Sequence, residues 1–132
     1  MARAGMDRAT GRLLAGWEHC AQSIAVILTT RIGWRVMRRR FGAQVRELQD
    51  LNPDPATLLR LYAAIAEALR LWEPGFRLSK IAATRIGADG VALFEIEGQY
   101  FPRGHLGDYS AGETRAARLA ANDAGFRIEA AA

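Results

Sequence analysis

Apolar residues recur along positions 17–29 at the spacing of one helical face. Trp17, Cys20, Ile24, Ile27 and Leu28 fall at i, i+3, i+7, i+10 and i+11, while Glu18, Gln22 and Ser23 take the polar side. Thr29-Thr30 and then Arg31-Ile32-Gly33 mark the stop. A longer stripe follows between Pro55 and Trp72. Leu58, Leu61, Tyr62, Ile65, Leu69 and Trp72 sit at i, +3, +4, +7, +11 and +14. Asp54 is placed to cap this helix and Pro55 to open it, where the missing N–H of proline costs nothing. Pro74 and Gly75 end it. Between the two stripes, Val45, Leu48 and Leu51 are spaced three apart and predict a short helix. Trp34 to Gly42 reads as a basic connector in which Val36 and Met37 are expected to be partly buried.

Beyond Gly75 the period changes. Phe76, Leu78 and Ile81 lie in an extended run to Ile86, and Gly87-Ala88-Asp89-Gly90 predicts a hairpin turn. In the next run Val91, Leu93 and Glu95 alternate with Ala92, Phe94 and Ile96. Apolar residues on both sides predict a strand covered on both faces. Gly98 is expected to interrupt it, with Gln99 to Phe101 beginning a third strand. After the loop Pro102 to Asp108, Ser110 and Glu113 have capping-box spacing and predict an Ala- and Arg-rich helix to Ala121. Asn122 to Gly125 reads as a turn and Phe126 to Glu129 as a last short strand. Residues 1–16 lack periodicity and contain Gly5, Gly11 and Gly16, which predicts an extended arm ordered by a partner. The expected plan is α+β, with N-terminal helices packed on a small, mainly antiparallel C-terminal sheet. It divides into an arm (1–16), an α+β domain (17–101) and a C-terminal extension (102–132) with a short helix and a final strand.

Composition narrows the chemistry. The chain has 132 residues, 50% of them hydrophobic and 24% charged, which fits one soluble domain. No apolar run approaches the length of a membrane span. Arg3, Arg8 and Arg12 have no apolar stretch behind them, so the start does not read as a secretory signal. Cys20 is the single cysteine, which excludes an internal disulfide and suits a small buried hydrophobe. His19 and His105 are the only histidines and no ligand-spaced cluster accompanies them, so neither a metal nor another cofactor is expected. Ser23 and Ser110 lack a nucleophile-elbow context. Glu73 invites a glycosidase reading, but that chemistry needs a second carboxylate across the scissile bond. No spacing places Glu95, Glu97 or Asp108 there, so Glu73 reads better as a structural ion pair or helix-end contact. The net charge of +4 and the run Arg38-Arg39-Arg40, flanked by Trp34 and Phe41, admit nucleic-acid stacking. A protein-facing basic patch pairing with acidic partners is the better reading of so short a run.

Several motifs occur in a recognisable order. They are Gly16-Trp17-Glu18-His19, Gln22-Ser23-Ile24, Ile27-Leu28-Thr29-Thr30, Gly33, Arg35-Val36-Met37-Arg38-Arg39 with Phe41-Gly42, and Ala68-Leu69 to Trp72-Glu73-Pro74. Together they resemble the baseplate assembly protein W family of contractile-tailed phages, over roughly residues 5 to 100. The resemblance implies a noncatalytic subunit of the baseplate wedge, whose sheet is similar to the strand-accepting domain of sheath subunits. It implies partnership with the tail sheath protein, with other wedge proteins, and with tail tube or hub proteins, in a particle assembled in the host cytoplasm. Trp72, Glu73, Pro74, Arg77, Arg38, Arg39 and Ile81 are the partner-binding residues it points to. The family carries Glu-Pro-Arg after the long helix, a motif that helps lock the helical bundle of the wedge. Here Gly75 stands where the arginine is expected, so either Arg77, the nearest arginine, replaces it from the start of the strand or the contact is absent. Two other functions share this pattern: a tail-associated peptidoglycan hydrolase and a regulatory adaptor built on the same fold.

Overall fold

The computed structural model describes residues 3–45, 54–86, 92–122 and 125–130. A hairpin of β1 (Ala4–Met6) and β2 (Leu13–Ala15) leads into helix α1 (Trp17–Thr29). Helix α2 (Pro55–Trp72) follows the connector, and then come β3 (Phe76–Ile86), β4 (Ala92–Tyr100), β5 (Glu113–Asn122) and β6 (Gly125–Ala130). These last four strands form one antiparallel sheet in the order β3-β4-β5-β6. The α+β plan read from the hydrophobic pattern is the plan observed.

Both helices form where their stripes predict. The Asp54 carboxylate accepts the Thr57 N–H at 2.7 Å and Pro55 opens the first turn. Hydrogen bonding from Thr57 holds the Asp54 carboxyl below its ordinary value. The stripes meet in one core: Ile24, Ile27 and Leu28 of α1, Leu61, Ile65 and Leu69 of α2, and Phe76, Phe94, Ile96 and Leu119 of the sheet. Each such side chain contributes about 1.5–3 kcal/mol on full burial. Helix α1 lies against β6 and helix α2 against β3. Cys20 is buried, as its place on the α1 stripe predicts.

Four expectations are corrected. Residues 4–15 form a hairpin, not a free extended arm. Its turn is built by Asp7, whose carboxylate accepts the Ala9 N–H and the Thr10 hydroxyl, and by Gly11 at φ 74°. The Gln22 side-chain amide then accepts the Arg8 N–H at 3.0 Å and donates to the Met6 carbonyl at 2.9 Å, as a neighbouring peptide would. Second, the helix expected between Ser110 and Ala121 is strand β5. Ser110 donates its N–H and hydroxyl to Asp108 instead of capping a helix, and Glu113 pairs with Arg115 at 2.8 Å. Ala117 and Leu119 alternate inward, so burial overrides the helix propensity of alanine and arginine. Third, β4 runs unbroken through Gly98. Fourth, β4 is covered on one face: Phe94, Ile96, Gly98 and Tyr100 are buried, whereas Glu95, Glu97 and Gln99 are exposed. The last predicted strand lies within β6. Most of the predicted short helix after Val45 and the predicted turn at 87–90 lie outside the described residues.

Candidate partner-binding site at the end of helix α2

Helix α2 delivers Trp72, Glu73 and Pro74 to one corner of the fold. The Glu73 N–H closes the last turn onto the Leu69 carbonyl at 3.0 Å, and its own carbonyl accepts the Phe76 N–H at 3.2 Å. This double anchorage turns the side chain inward, where it is only 2% exposed. Its Oε1 accepts Arg3 Nη1 at 3.0 Å, a contact across 70 residues of sequence. Its Oε2 is buried with no hydrogen-bond partner, as is the indole N–H of Trp17. The Trp17 ring lies 5.7 Å from the rings of both Phe76 and Tyr100. Burial pushes the Cys20 thiol up, and the Glu73 charge adds to this while Arg3 opposes it. Burial likewise raises the Tyr100 phenol, with Cys20 and Glu73 adding to the effect. Among the described residues the corner thus holds one buried carboxylate with one ion-pair partner, Arg3.

Arg77 does not supply that partner. It is exposed, with its guanidinium 4.2 Å from the Tyr109 ring centre and 5.3 Å from that of Phe101. Within the chain it is Arg3, leading into the N-terminal hairpin, that pairs with Glu73. At Gly75 the carbonyl accepts the Phe101 N–H at 2.7 Å. Gly104 packs so closely that a Cβ there would lie 2.7 Å from both Gly75 Cα and the Pro74 carbonyl oxygen. The turn after α2 is thus tied to the loop after β4 by backbone contact. Nothing in the local sequence points to Arg3, because the pairing depends on a hairpin folding back over α1.

The other expected residues fall into two groups. Trp72 is half-buried and meets Phe41 edge-on at 5.2 Å. Arg38 lies over both of these rings, at 5.3 and 4.9 Å. Arg39 is exposed beside it in the same loop. On the other side, Pro74 and Arg77 line a depression with Arg70, Phe76, Leu78 and Tyr109, whose wall also includes the buried Glu73. Ile81 sits apart on edge strand β3, half-buried against the core. Among the described residues no group of three or more His, Cys, Asp or Glu could hold a metal ion. Among them too, no helix is long and apolar enough to cross a membrane.

Residues 15–101 match the family described as baseplate wedge protein gp25. The chain belongs to that family. Baseplate protein W of Escherichia phage P2 is 36% identical over 96 residues, covering 73% of this chain and 83% of the phage protein. A chain of the postcontracted pyocin R2 baseplate superposes with a TM-score of 0.65 at 33% identity, covering 74% of this chain and 98% of its own length. A Geobacter sulfurreducens protein bearing a provisional tail lysozyme label superposes with a TM-score of 0.59 at 30% identity, covering 77% of this chain and 87% of its own. This wedge protein is a baseplate component of a contractile tail, and the corner at Trp72-Glu73-Pro74 lies inside the segment shared with the family.

Proposed function

We propose that this wedge protein joins neighbouring wedge subunits and starts sheath polymerisation by accepting a strand at the β3 edge of its sheet, without catalytic activity of its own. The observation that carries the reading is the position of β3 at one end of the order β3-β4-β5-β6. An outer strand presents unpaired N–H and C=O groups in register, and an incoming arm gains main-chain hydrogen bonds with little demand on its sequence. The edge is partly managed. The Ala83 N–H donates to the Tyr62 hydroxyl at 3.0 Å, so α2 covers that point. Irregularities between Leu78 and Lys80 and between Ala83 and Arg85 interrupt the register. Because N–H groups two residues apart share a direction, Ile81 also points its N–H away from β4. The accessible stretch therefore lies at and before Ile81. Such partners would be the sheath protein, the other wedge proteins and tube or hub proteins.

Ile81→Pro is the direct test. Proline removes the outward N–H while leaving the β3–β4 ladder its bonds, as edge prolines do. The variant is expected to fold and to enter baseplates that then fail to grow sheath in electron micrographs. Normal sheath growth on such baseplates would remove β3 as the accepting edge, and normal growth on particles lacking this chain would remove the initiating role.

The provisional lysozyme label of one structural relative gives the enzymatic reading a specific basis. The geometry at Glu73 speaks against it. A glycosidase needs two carboxylates flanking the bond to be cut. Glu73 is sequestered with Arg3, Glu95 pairs with Arg118 at 3.3 Å, and Asp108 is bonded to Ser110. Purified protein is expected to leave a peptidoglycan suspension turbid, and Glu73→Gln to behave the same. Clearing by the wild type that a folded Glu73→Gln variant loses would establish the hydrolase.

A further inference from the structure

The connector between α1 and the second stripe is a built loop, and it differs from its expected form. Val36 and Met37, expected to be partly buried, are 76% and 94% exposed, and Trp34 is 74% exposed. The loop is nevertheless held firmly. The Ala43 N–H donates to the Thr30 carbonyl at 3.0 Å and closes its stem, and the Gly33 N–H donates to the Arg39 carbonyl at 2.8 Å across it. Gly42, at φ 124°, lets the stem close: a Cβ there would run into the Thr30 carbonyl oxygen. The guanidinium groups of Arg35 and Arg38 both lie over the Phe41 ring, at 4.5 and 4.9 Å, and Arg38 also covers Trp72. Arg31 lies 5.9 Å over Trp34.

Two like charges held over one ring favour a counter-charge beside them. Five arginines (31, 35, 38, 39 and 40) fall within ten residues that contain no carboxylate. None of the five forms an ion pair among the described residues. Arg35 and Arg38 are both exposed, and a guanidinium carries five N–H donors that can take a carboxylate in bidentate fashion. Beside them Trp72, Ile32 and the exposed Leu71, together with Arg40 and Glu67, line a groove of about 130 Å³.

We propose that loop 31–40 docks an acidic, amphipathic segment of a neighbouring wedge protein, whose carboxylates engage Arg35 and Arg38 and whose apolar side chains cover Val36 and Met37 and fill the groove beside Trp72. The inference rests on the wedge-joining part of the function proposed above and assigns it a surface. A protein partner fits better than nucleic acid because the loop tip is aliphatic: Val36 and Met37 offer no stacking platform, the rings of Phe41 and Trp72 are already covered by arginine, and Trp34 alone leaves one exposed ring in the loop. A second copy docking loop to loop fits poorly, because residues 31–40 bring five arginines and no carboxylate to that contact.

The test uses particles from cells in which the chain is replaced by tagged versions. Wild-type chain should be present in purified baseplates and survive nuclease treatment. Arg35→Glu with Arg38→Glu should lower its incorporation at least tenfold. That double variant also loses the Phe41 stack, so Met37→Asp is the companion: this exposed tip can be changed without touching the core, and thermal melting of the isolated protein should match wild type while incorporation falls severalfold. Wild-type incorporation with both variants incorporated equally well would overturn the docking loop and leave the baseplate role standing. Absence of wild-type chain from baseplates would overturn both. Loss of wild-type chain on nuclease treatment would replace the acidic protein segment with nucleic acid, and Met37-dependent dimers of the isolated chain would replace it with a second copy.

Discussion

Arg3→Ala is expected to destabilise the fold by about 3 kcal/mol, because removing one partner of a buried ion pair strands the other charge. Glu73 is only 2% exposed and, among the described residues, receives one hydrogen bond, at Oε1 from Arg3, while Oε2 has none. Removing the guanidinium leaves both carboxylate oxygens unpaired in a pocket lined by aromatic rings. Arg3 is itself 38% exposed, so solvent screens part of the pair and the low end of the usual range applies. For a chain of this size the loss corresponds to a melting temperature lower by roughly 10 °C. Glu73→Gln acts differently. It removes the pair and the buried charge together, and should cost about 1 kcal/mol, the scale of one net hydrogen bond. The double variant should then be more stable than Arg3→Ala alone, a coupling that a melting-curve cycle reads directly. An Arg3→Ala protein that melts with the wild type would mean that the Glu73 charge is compensated by something other than the hairpin.

That coupling bears on assembly. Glu73-Pro74 lies in the segment shared with the wedge family, and here one carboxylate oxygen of Glu73 is paired with Arg3 of the same chain. Gly75 stands where the resemblance leads one to expect an arginine, and Glu73 is paired instead within the chain, with Arg3. Hairpin and corner therefore form one unit, in which β1–β2 is held by the Gln22 amide on one side and by the Arg3–Glu73 pair on the other.

The elements that could be read from the sequence are those whose signals are local. Helix α2 carries its own start in Asp54-Pro55, its own stop in Pro74-Gly75 and a stripe whose members Leu61, Ile65 and Leu69 are all buried. Helix α1 is similarly self-announcing. Strand β5 was hidden because Ala116, Ala117, Ala120 and the arginines around them favour a helix in isolation. Only pairing with β4, where Ala117 meets Ile96 and Leu119 meets Phe94, makes the extended form preferable. The site divides the same way. Trp72, Glu73 and Pro74 were legible as a helix end, and Arg38 as a basic residue near aromatic ones. The pairing of Glu73 with Arg3 was not, since it depends on a hairpin whose register is set by Asp7 and Gly11. Nor was the exposure of Val36 and Met37, because a short apolar pair between arginines looks the same in sequence whether it faces the core or a partner.

Gly98→Ala is expected to cost about 3 kcal/mol, the upper end for overpacking, because the neighbour that must move is backbone. Gly98 lies in the middle of the sheet, paired with Leu78 on β3 and Arg115 on β5. A Cβ at this position would collide with the carbonyl oxygen of Arg77 and come within 2.7 Å of Phe76 Cζ. The glycine that looked like a strand break is therefore the point where β4 lets β3 and the Phe76 ring approach it, next to the irregularity between Leu78 and Lys80. Two causes can be separated. Phe76 is buried and its ring packs on Trp17, so Phe76→Leu opens space beside Gly98 while keeping an apolar side chain. If the ring were the only obstacle, Phe76→Leu with Gly98→Ala would be no less stable than Phe76→Leu. If the Arg77 carbonyl decides, the alanine should remain costly in both backgrounds, and β3 should lose amide protection in hydrogen exchange before β5 does. Since β3 is the edge assigned to the incoming strand, such a variant should also fail to support sheath growth at temperatures where it is still folded. Sheath assembly at wild-type levels from a protein with a disrupted β3 would shift the accepting edge away from this strand.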